Sequence, residues 1–246
     1  MMSMPKRSYN QHCAVARGLD VIGDRWMLLL VRELLLGPKR YGDLLAAAPG
    51  IGTNLLAERL REMEAGGLVE RVTLPPPAGS TVYQLTEAGA ALEPVLLAIG
   101  RWGARFMSER RPDDHLSPGA YFVAMRARFR PEQSRGLPEI YEFRVAGRVF
   151  EVRVEDGRCT TSEGRAVAPD AVFTMDVETL NRIFFGQLSA GEAIESGAVT
   201  IAGDRDALAR FQRLFRPHDP TPASPPPGSP RTSPRSRAGG RTADST

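Results

Sequence analysis

The residues best suited to specific chemistry lie on one predicted helix, residues 53–64. Three apolar residues recur there at helical spacing and mark a buried face: Leu56, Leu60 and Met63. At about 100° per residue, the opposite face carries Asn54, Ala57, Glu58 and Arg61. Asparagine can bond adenine, and arginine guanine, through two hydrogen bonds at a base edge. This face therefore predicts contacts to duplex DNA.

Other residues close to this helix are candidates for contacts to the DNA backbone. Thr53 begins the helix, where a hydroxyl and free backbone N–H groups can bind a phosphate. Lys39 and Arg40 precede a short predicted helix and are phosphate candidates, although a solvated turn is the alternative. Arg71 lies in a predicted hairpin whose tip carries no Lys or Arg, so we expect that hairpin to contact DNA only weakly.

Arg59 lies on the flank of the predicted helix and not at its outward centre. Two interpretations are equally weighted. Arg59 either contacts a phosphate or forms an ion pair with Glu62 or Glu64 within the same domain.

The remaining reactive residue types do not form a catalytic or metal-binding pattern. His12, His115 and His218 are scattered, and there is no Gly-rich phosphate loop. Cys13 and Cys159 are far apart, without the spacing of a zinc site or a disulfide framework. The sequence argues against an enzyme and predicts no cofactor and no metal.

Composition allows two domains in a chain of 246 residues. The formal net charge is +3, but the first 110 residues carry 13 Lys and Arg against 11 Asp and Glu, so bulk charge does not identify a DNA-binding region. No apolar run is long enough to span a bilayer, and residues 1–10 lack the apolar segment of a secretory signal. We expect a soluble, cytoplasmic protein with no membrane partner.

The first domain is predicted to be helical with one hairpin. Helices are expected at 14–22, from Asp24 as N-cap to residue 36, at 40–48 and at 53–64; Trp26 is assigned to packing. Strands at 68–74 and 82–86 form the hairpin, or wing. One long helix then follows from Glu87 to Phe106, and its apolar stripe exceeds what a small domain can bury, so a partner helix is implied.

The second domain follows a boundary at residues 110–118. Alternating strands at 140–145 and 149–154 flank the turn Ala146-Gly147, and further strands are expected at 171–175 and 198–202. Helices are expected at 177–185 and from Asp204 to Phe215. Residues 216–246 are rich in Pro, Ser, Thr, Arg and Gly and predict a disordered tail, whose arginines either attract phosphates or are merely solvated.

Five short runs carry a resemblance to the HxlR-type winged helix-turn-helix regulators over residues 8–107. They are residues 22–26 (IGDRW), 32–37 (RELLLG), 40–44 (RYGDL), 60–64 (LREME) and 83–89 (YQLTEAG). The resemblance implies a bacterial transcription regulator that binds double-stranded DNA as a homodimer, with half-sites roughly 10 base pairs apart. Cys13 matches the position of a cysteine that some members use as a redox sensor, and Arg17 one turn on would favour its thiolate. The alternative for Cys13 is a small buried residue at the dimer interface.

The second half resembles the sterol carrier protein type two fold over residues 117–215, chiefly at 171–176 (AVFTMD) and 199–204 (VTIAGD). The resemblance implies a site for an apolar effector or lipid, lined by Phe173, Ile183, Phe184, Leu188 and Phe211. The alternative is that these side chains simply fill a core. A bound effector would act by changing the spacing of the two recognition helices.

Together these patterns predict an α+β protein: a winged helix-turn-helix domain (8–107), a sterol-carrier-like α+β sheet domain (117–215) and the tail (216–246). A lipid carrier whose winged domain serves only to dimerise is the competing function; the outward-facing Asn54 and Arg61 argue against it.

Overall fold

The computed structural model describes residues 8–75, 79–107, 110–111, 113–134, 136, 138–204 and 206–215. The predicted tail lies outside the described residues. The chain has the expected α+β architecture, with a winged helix-turn-helix followed by a mixed sheet domain. No helix in the described part of the chain is long and apolar enough to cross a membrane.

The first domain begins with four helices. They are α1 (Ala14–Ile22), α2 (Met27–Leu34), α3 (Tyr41–Ala47) and α4 (Thr53–Ala65). The helix α2 is central, because Met27, Leu30, Val31 and Leu34 are all buried against apolar residues of α3 and α4. The tight turn between α3 and α4 makes them a helix-turn-helix pair.

The start of α2 departs from the prediction. Asp24 was expected to be its N-cap, but Trp26 occupies that position with a left-handed backbone (φ 83°) and no side-chain cap bond. The indole is half-buried, as predicted for packing, and it lies beside the turn before α4, where a Cβ added at Gly50 would be 3.7 Å from the ring. The Asp24 carboxylate instead lies 3.8 Å from the Arg59 guanidinium. Tertiary packing of the indole has overridden a good capping residue.

The wing consists of β1 (Val69–Thr73) and β2 (Thr81–Leu85), paired antiparallel. Both strands are within a residue or two of the predicted bounds. A third short segment joins them, because Lys39 forms an antiparallel bridge with Tyr83. The wing therefore has its base at the loop between α2 and α3.

The predicted long helix after the wing is broken in two. It consists of α5 (Glu87–Ala90) and α6 (Glu93–Gly103), followed by a 3₁₀ turn at Ala104–Phe106. Pro94 lies in the first turn of α6, where its missing N–H and fixed φ are tolerated. In a continuous helix the same proline would remove a hydrogen bond, which explains the break.

The second domain is a five-stranded sheet with helices on one face. Its strands are β3 (Glu139–Val145), β4 (Arg148–Glu155), β5 (Arg158–Glu163), β6 (Ala171–Met175) and β7 (Thr200–Gly203). The strand order is β5-β4-β3-β6-β7; β3 and β6 are parallel and the other pairs antiparallel. Ala146 and Gly147 both have positive φ, which confirms the predicted two-residue hairpin turn.

Among the residues that the structure describes, four helices accompany this sheet. They are α7 (Pro118–Arg126), α8 (Val177–Phe184), α9 (Ala190–Glu195) and α10 (Ala207–Leu214), with a 3₁₀ turn at Pro131–Gln133. The α10 N-cap is Asp206 and not the predicted Asp204, whose carboxylate accepts the Asp206 N–H.

Three elements of this domain were not predicted: α7, α9 and β5. Pro118 and Gly119 suggested a break, whereas the proline stands at the start of α7, where it is well tolerated. The strand β5 is polar and lacks apolar alternation, and pairing with β4 holds it in the sheet.

Aromatic side chains form the centre of the second core. Phe122 of α7 stacks on Phe150 of β4, with ring centroids 4.2 Å apart. Phe211 of α10 lies 5.0 Å from Tyr141 and 5.1 Å from Phe143, both on β3. The helices α7 and α10 thus cover the same apolar face of the sheet.

Candidate nucleic-acid interface

The outward face of α4 is the centre of the candidate interface. Thr53, Asn54 and Arg61 are exposed, and Ala57 is half-buried between them. The Arg61 Nε atom donates to the Ala57 carbonyl at 3.1 Å, and among the described residues Arg61 forms no ion pair. The structure thus gathers these four predicted residues on one face and leaves the guanidinium available to a ligand.

Tyr41 fixes where this helix begins. Its hydroxyl donates to the Thr53 carbonyl at 2.6 Å, which ties the start of α3 to the first turn of α4. Sequence reasoning missed this role. The available signal was an aromatic residue at the start of the first helix in a helix-turn-helix pair.

Arg40 lies beside the wing. Its guanidinium is exposed, and Nε donates to the Ser80 hydroxyl at 3.0 Å, while its backbone N–H donates to the Asp43 carboxylate at 3.0 Å. This position, between the start of α3 and the wing, is compatible with the predicted phosphate contact.

The placement of Lys39 corrects the sequence-based expectation. Lys39 is only 5% exposed, and its ammonium forms an ion pair with Glu163 at the end of β5. A phosphate cannot reach it in this conformation. Sequence reasoning could not anticipate this contact, because the two residues are 124 positions apart.

Arg59 and Arg71 are engaged with neighbouring carboxylates. Arg59 is 15% exposed and pairs with Glu62, which is the second of the two interpretations considered above. Burial lowers the pKa of Arg59, but the bond and charge of Glu62 outweigh it and raise the pKa. Arg71 is exposed and donates to Glu64 at 2.7 Å, an interaction that also raises its pKa. Neither side chain belongs to the exposed face of α4 that carries Asn54 and Arg61.

The two cysteines have opposite surroundings. Cys13 is exposed at the N-cap of α1, and the nearby backbone N–H groups of Ala16 and Val15 lower the pKa of its thiol. Cys159 packs against the second core, where burial raises the pKa of its thiol to about 12. Cys13 is therefore the more reactive of the two.

Several large apolar side chains of the first domain are exposed, and we call them together the apolar surface. It comprises the exposed side chains Val15 and Leu19 of α1, Val95, Ile99 and Trp102 of α6, and Phe106 and Met107 beyond it. No residue of α6 is buried, and Trp102 is 59% exposed. An apolar area of this kind is typical of a protein–protein contact.

The predicted effector-binding side chains pack against one another. Phe173 is fully buried and contacts Phe143 and Phe211, with centroids 4.9 and 6.1 Å away. Ile183, Phe184, Leu188 and Phe211 are half-buried and belong to the same core cluster. A surface pocket of about 560 Å³ lies elsewhere, lined by Pro131, Glu132, Gly136, Asp156 and Gly157.

A winged helix with a solvent-facing second helix is the architecture of a DNA-binding regulator. Residues 21–111 match the family model described as HxlR-like helix-turn-helix, and residues 116–221 match the one described as alkyl sulfatase C-terminal. The uncharacterized HTH-type transcriptional regulator sll1512 of Synechocystis is 33% identical over 107 residues, 44% of this chain and 79% of that protein. The HTH-type transcriptional regulator YodB of Bacillus subtilis is 38% identical over 87 residues, 35% and 78% of the two chains.

The chain belongs to the HxlR-type helix-turn-helix transcriptional regulators. Among solved structures, the reduced form of YodB from Bacillus subtilis is 33% identical and covers 41% of this chain and 100% of that one, with a TM-score of 0.36. The match of the second half names a different family from the sterol carrier resemblance, which stays a prediction.

Proposed function

We propose that this regulator acts as a homodimer that places α4 of each protomer in the major groove of a pseudo-palindromic operator. One observation carries the proposal. Of the basic residues on and beside α4, Arg61 faces solvent without an ion pair among the described residues, whereas Arg59 and Arg71 are paired with carboxylates. Asn54 is exposed on the same face.

The chemistry of this face suits sequence-specific recognition. Asn54 can bond adenine and Arg61 guanine through paired hydrogen bonds to base edges. Thr53 and the free N–H groups at the start of α4 would bind a phosphate, and Arg40 would contact the DNA backbone beside the wing. Phosphate contacts would fix the position of α4 on the duplex, and the two side chains that contact bases would determine which DNA sequence is recognised.

The apolar surface supports the dimeric part of the proposal. A second copy of the chain would cover exposed apolar side chains of the first domain, such as Val95, Ile99 and Trp102 of α6. A two-fold dimer presents two copies of α4 to successive major grooves about 10 base pairs apart.

Fluorescence anisotropy with DNA from directly upstream of the protein's own reading frame tests recognition. The test variant is Asn54→Ala with Arg61→Ala; the control, Gln212→Ala with Arg213→Ala, removes the same charge from an exposed part of α10. At two salt concentrations, we expect the test variant to lose roughly 10- to 100-fold in specific affinity and the control to bind like the native protein. Equal, weak binding by all three would overturn the recognition helix.

We further propose that the second domain senses an apolar molecule, as its predicted lining residues suggest. Those side chains now fill a core, so a ligand must displace α10 and its Phe211 from β3. The α10 helix is held at its polar edge by Arg210, which pairs with Glu139 and with Asp204 at 2.7 Å.

A dansyl-labelled fatty acid is a suitable probe for that site. We expect its fluorescence to rise on binding, and Arg210→Ala to increase affinity by freeing α10. Binding with no change in DNA affinity would favour the lipid carrier alternative. An absence of binding would leave the second domain without a sensing role.

A further inference from the structure

A polar cluster joins the two domains at the base of the wing. Lys39 and Glu163 form its centre, with Arg148 of β4 and Glu33 of α2 on one side. We propose that Glu163 is a positioning residue for the wing, which it holds through Lys39 in the orientation that meets DNA. The inference rests on the proposed function above.

The first step is the connection between Lys39 and the wing. The Lys39 N–H donates to the Tyr83 carbonyl at 2.9 Å, and the Tyr83 N–H donates back to the Lys39 carbonyl at 2.7 Å. Lys39 is therefore an added edge of the wing sheet. Any shift of its main chain moves β2 with it.

The second step is the anchoring of Glu163 in the other domain. Arg148 donates to both carboxylate oxygens of Glu163, Nε to Oε1 and Nη2 to Oε2, each at 2.7 Å. Burial raises the pKa of Glu163, but the bonds from Arg148 and Lys39 outweigh it and keep that pKa below its ordinary value. The carboxylate is thus held charged between a cation of each domain.

The third step is the fit between α2 and the second domain. The Glu163 N–H donates to the Leu36 carbonyl at 2.7 Å, and Arg126 donates to the Leu35 carbonyl at 2.9 Å. Glu33 is 1% exposed and accepts from the Ser117 hydroxyl at 3.1 Å. A side chain at Gly119 would come within 2.8 Å of Leu36 Cδ1 and 3.0 Å of Glu33 Oε2. The two domains are therefore packed directly against each other at this point, and this packing holds the ion-paired side chains in place.

These contacts converge on the end of α2 and the base of the wing, whereas Asn54 and Arg61 on α4 stay exposed. The second domain therefore influences DNA binding through the wing and not by covering the recognition helix. This arrangement gives the second domain a defined mechanical connection to the DNA-binding surface.

The experiment compares two fluorescein-labelled duplexes from the DNA directly upstream of the protein's own reading frame, one with the flanks that the wing would contact and one without them. The test variant is Glu163→Gln. The control is Glu151→Gln, which makes the same charge change on β4, where Glu151 pairs with Arg153 at 2.9 Å. We expect Glu163→Gln to bind the long duplex about fivefold more weakly and the short one normally. The control should match the native protein on both.

Two further variants separate positioning from simple loss of stability. Lys39→Met is tested alone and combined with Glu163→Gln. Because both changes break the same ion pair, the double variant should bind the long duplex no more weakly than the weaker of the two single variants. Gly119→Ala should repeat the loss on the long duplex only. All assays are run well below the melting temperature of each variant, measured by circular dichroism.

Native affinity of Glu163→Gln for the long duplex, or an equal loss on both duplexes, would overturn the positioning role while leaving α4 as the recognition helix. If the native protein bound neither duplex, the proposed function would fail as well.

Discussion

Two helices of this molecule carry similar apolar stripes, but one stripe is exposed and the other is buried. The α6 helix carries Val95, Ile99 and Trp102 at helical spacing and leaves them exposed, whereas α10 carries Phe211 and Leu214 and presses them onto the sheet. Both helices are amphipathic. The difference shows that an apolar stripe establishes the need for a partner surface but not whether that surface belongs to the same chain.

The largest expected effect concerns the packed surface. Phe173→Ala should lower the free energy of unfolding by about 3–5 kcal/mol, because Phe173 is fully buried among Phe143 and Phe211. Urea denaturation measures the loss. Val167→Ala, at a side chain 77% exposed in the same domain, should stay within about 0.5 kcal/mol of the native protein. A loss below about 1 kcal/mol for Phe173→Ala would mean that the aromatic core is loosely packed.

The two cysteines sharpen the contrast between an exposed and a packed setting. The pKa of Cys13 lies below its ordinary 9.0, so more thiolate is present at neutral pH than in a free cysteine. Cys159, with a pKa of about 12, stays protonated there. In single-cysteine variants made by Cys13→Ser and Cys159→Ser, iodoacetamide at pH 7 should react at least about a hundredfold faster with Cys13.

The same reaction in 8 M urea is the control, where the two rates should converge because neither environment survives. A native Cys159 that reacts as fast as Cys13 would contradict the packed setting.

The exposed surface should respond through assembly and not through folding. Trp102→Ala should weaken the proposed dimer by about 2 kcal/mol, roughly 30-fold in its dissociation constant, as expected for an aromatic anchor at an interface. Sedimentation velocity over a range of concentrations measures the change. Val167→Ala again serves as the control, since its exposed side chain lies outside the apolar surface. An unchanged sedimentation profile for Trp102→Ala would remove α6 from the interface.

The smallest expected effect concerns the contact between the two domains at Glu163. The folded-state pKa of Glu163 lies below its ordinary 4.5, so its ion pairs stabilise the protein above pH 4.5 and this contribution is lost as the pH falls below that value. Glu163→Gln lacks this contribution. Its melting temperature should lie on the order of 2–4 °C below that of the native protein at pH 7, and the gap should close under acid conditions. A gap that is constant from pH 7 to pH 3 would contradict the charged contact.

The local patterns predicted most elements of this fold. The buried face of α4 follows from the spacing of Leu56, Leu60 and Met63, and the hairpin between β3 and β4 follows from Ala146 and Gly147. The misses occurred where local signals compete. Pro118 reads equally well as a break and as the start of α7, and the polar strand β5 is held in the sheet by its pairing with β4.

The candidate site, too, was predicted only in part from the sequence. The amino-acid sequence by itself determined which side chains share the outward face of α4, because helical geometry fixes their directions. Only the tertiary structure decided that Lys39 is buried against Glu163 and that the aromatic side chains of the second domain meet one another. Burial and ion pairing depend on which distant segment arrives beside a residue, and no local spacing carries that information.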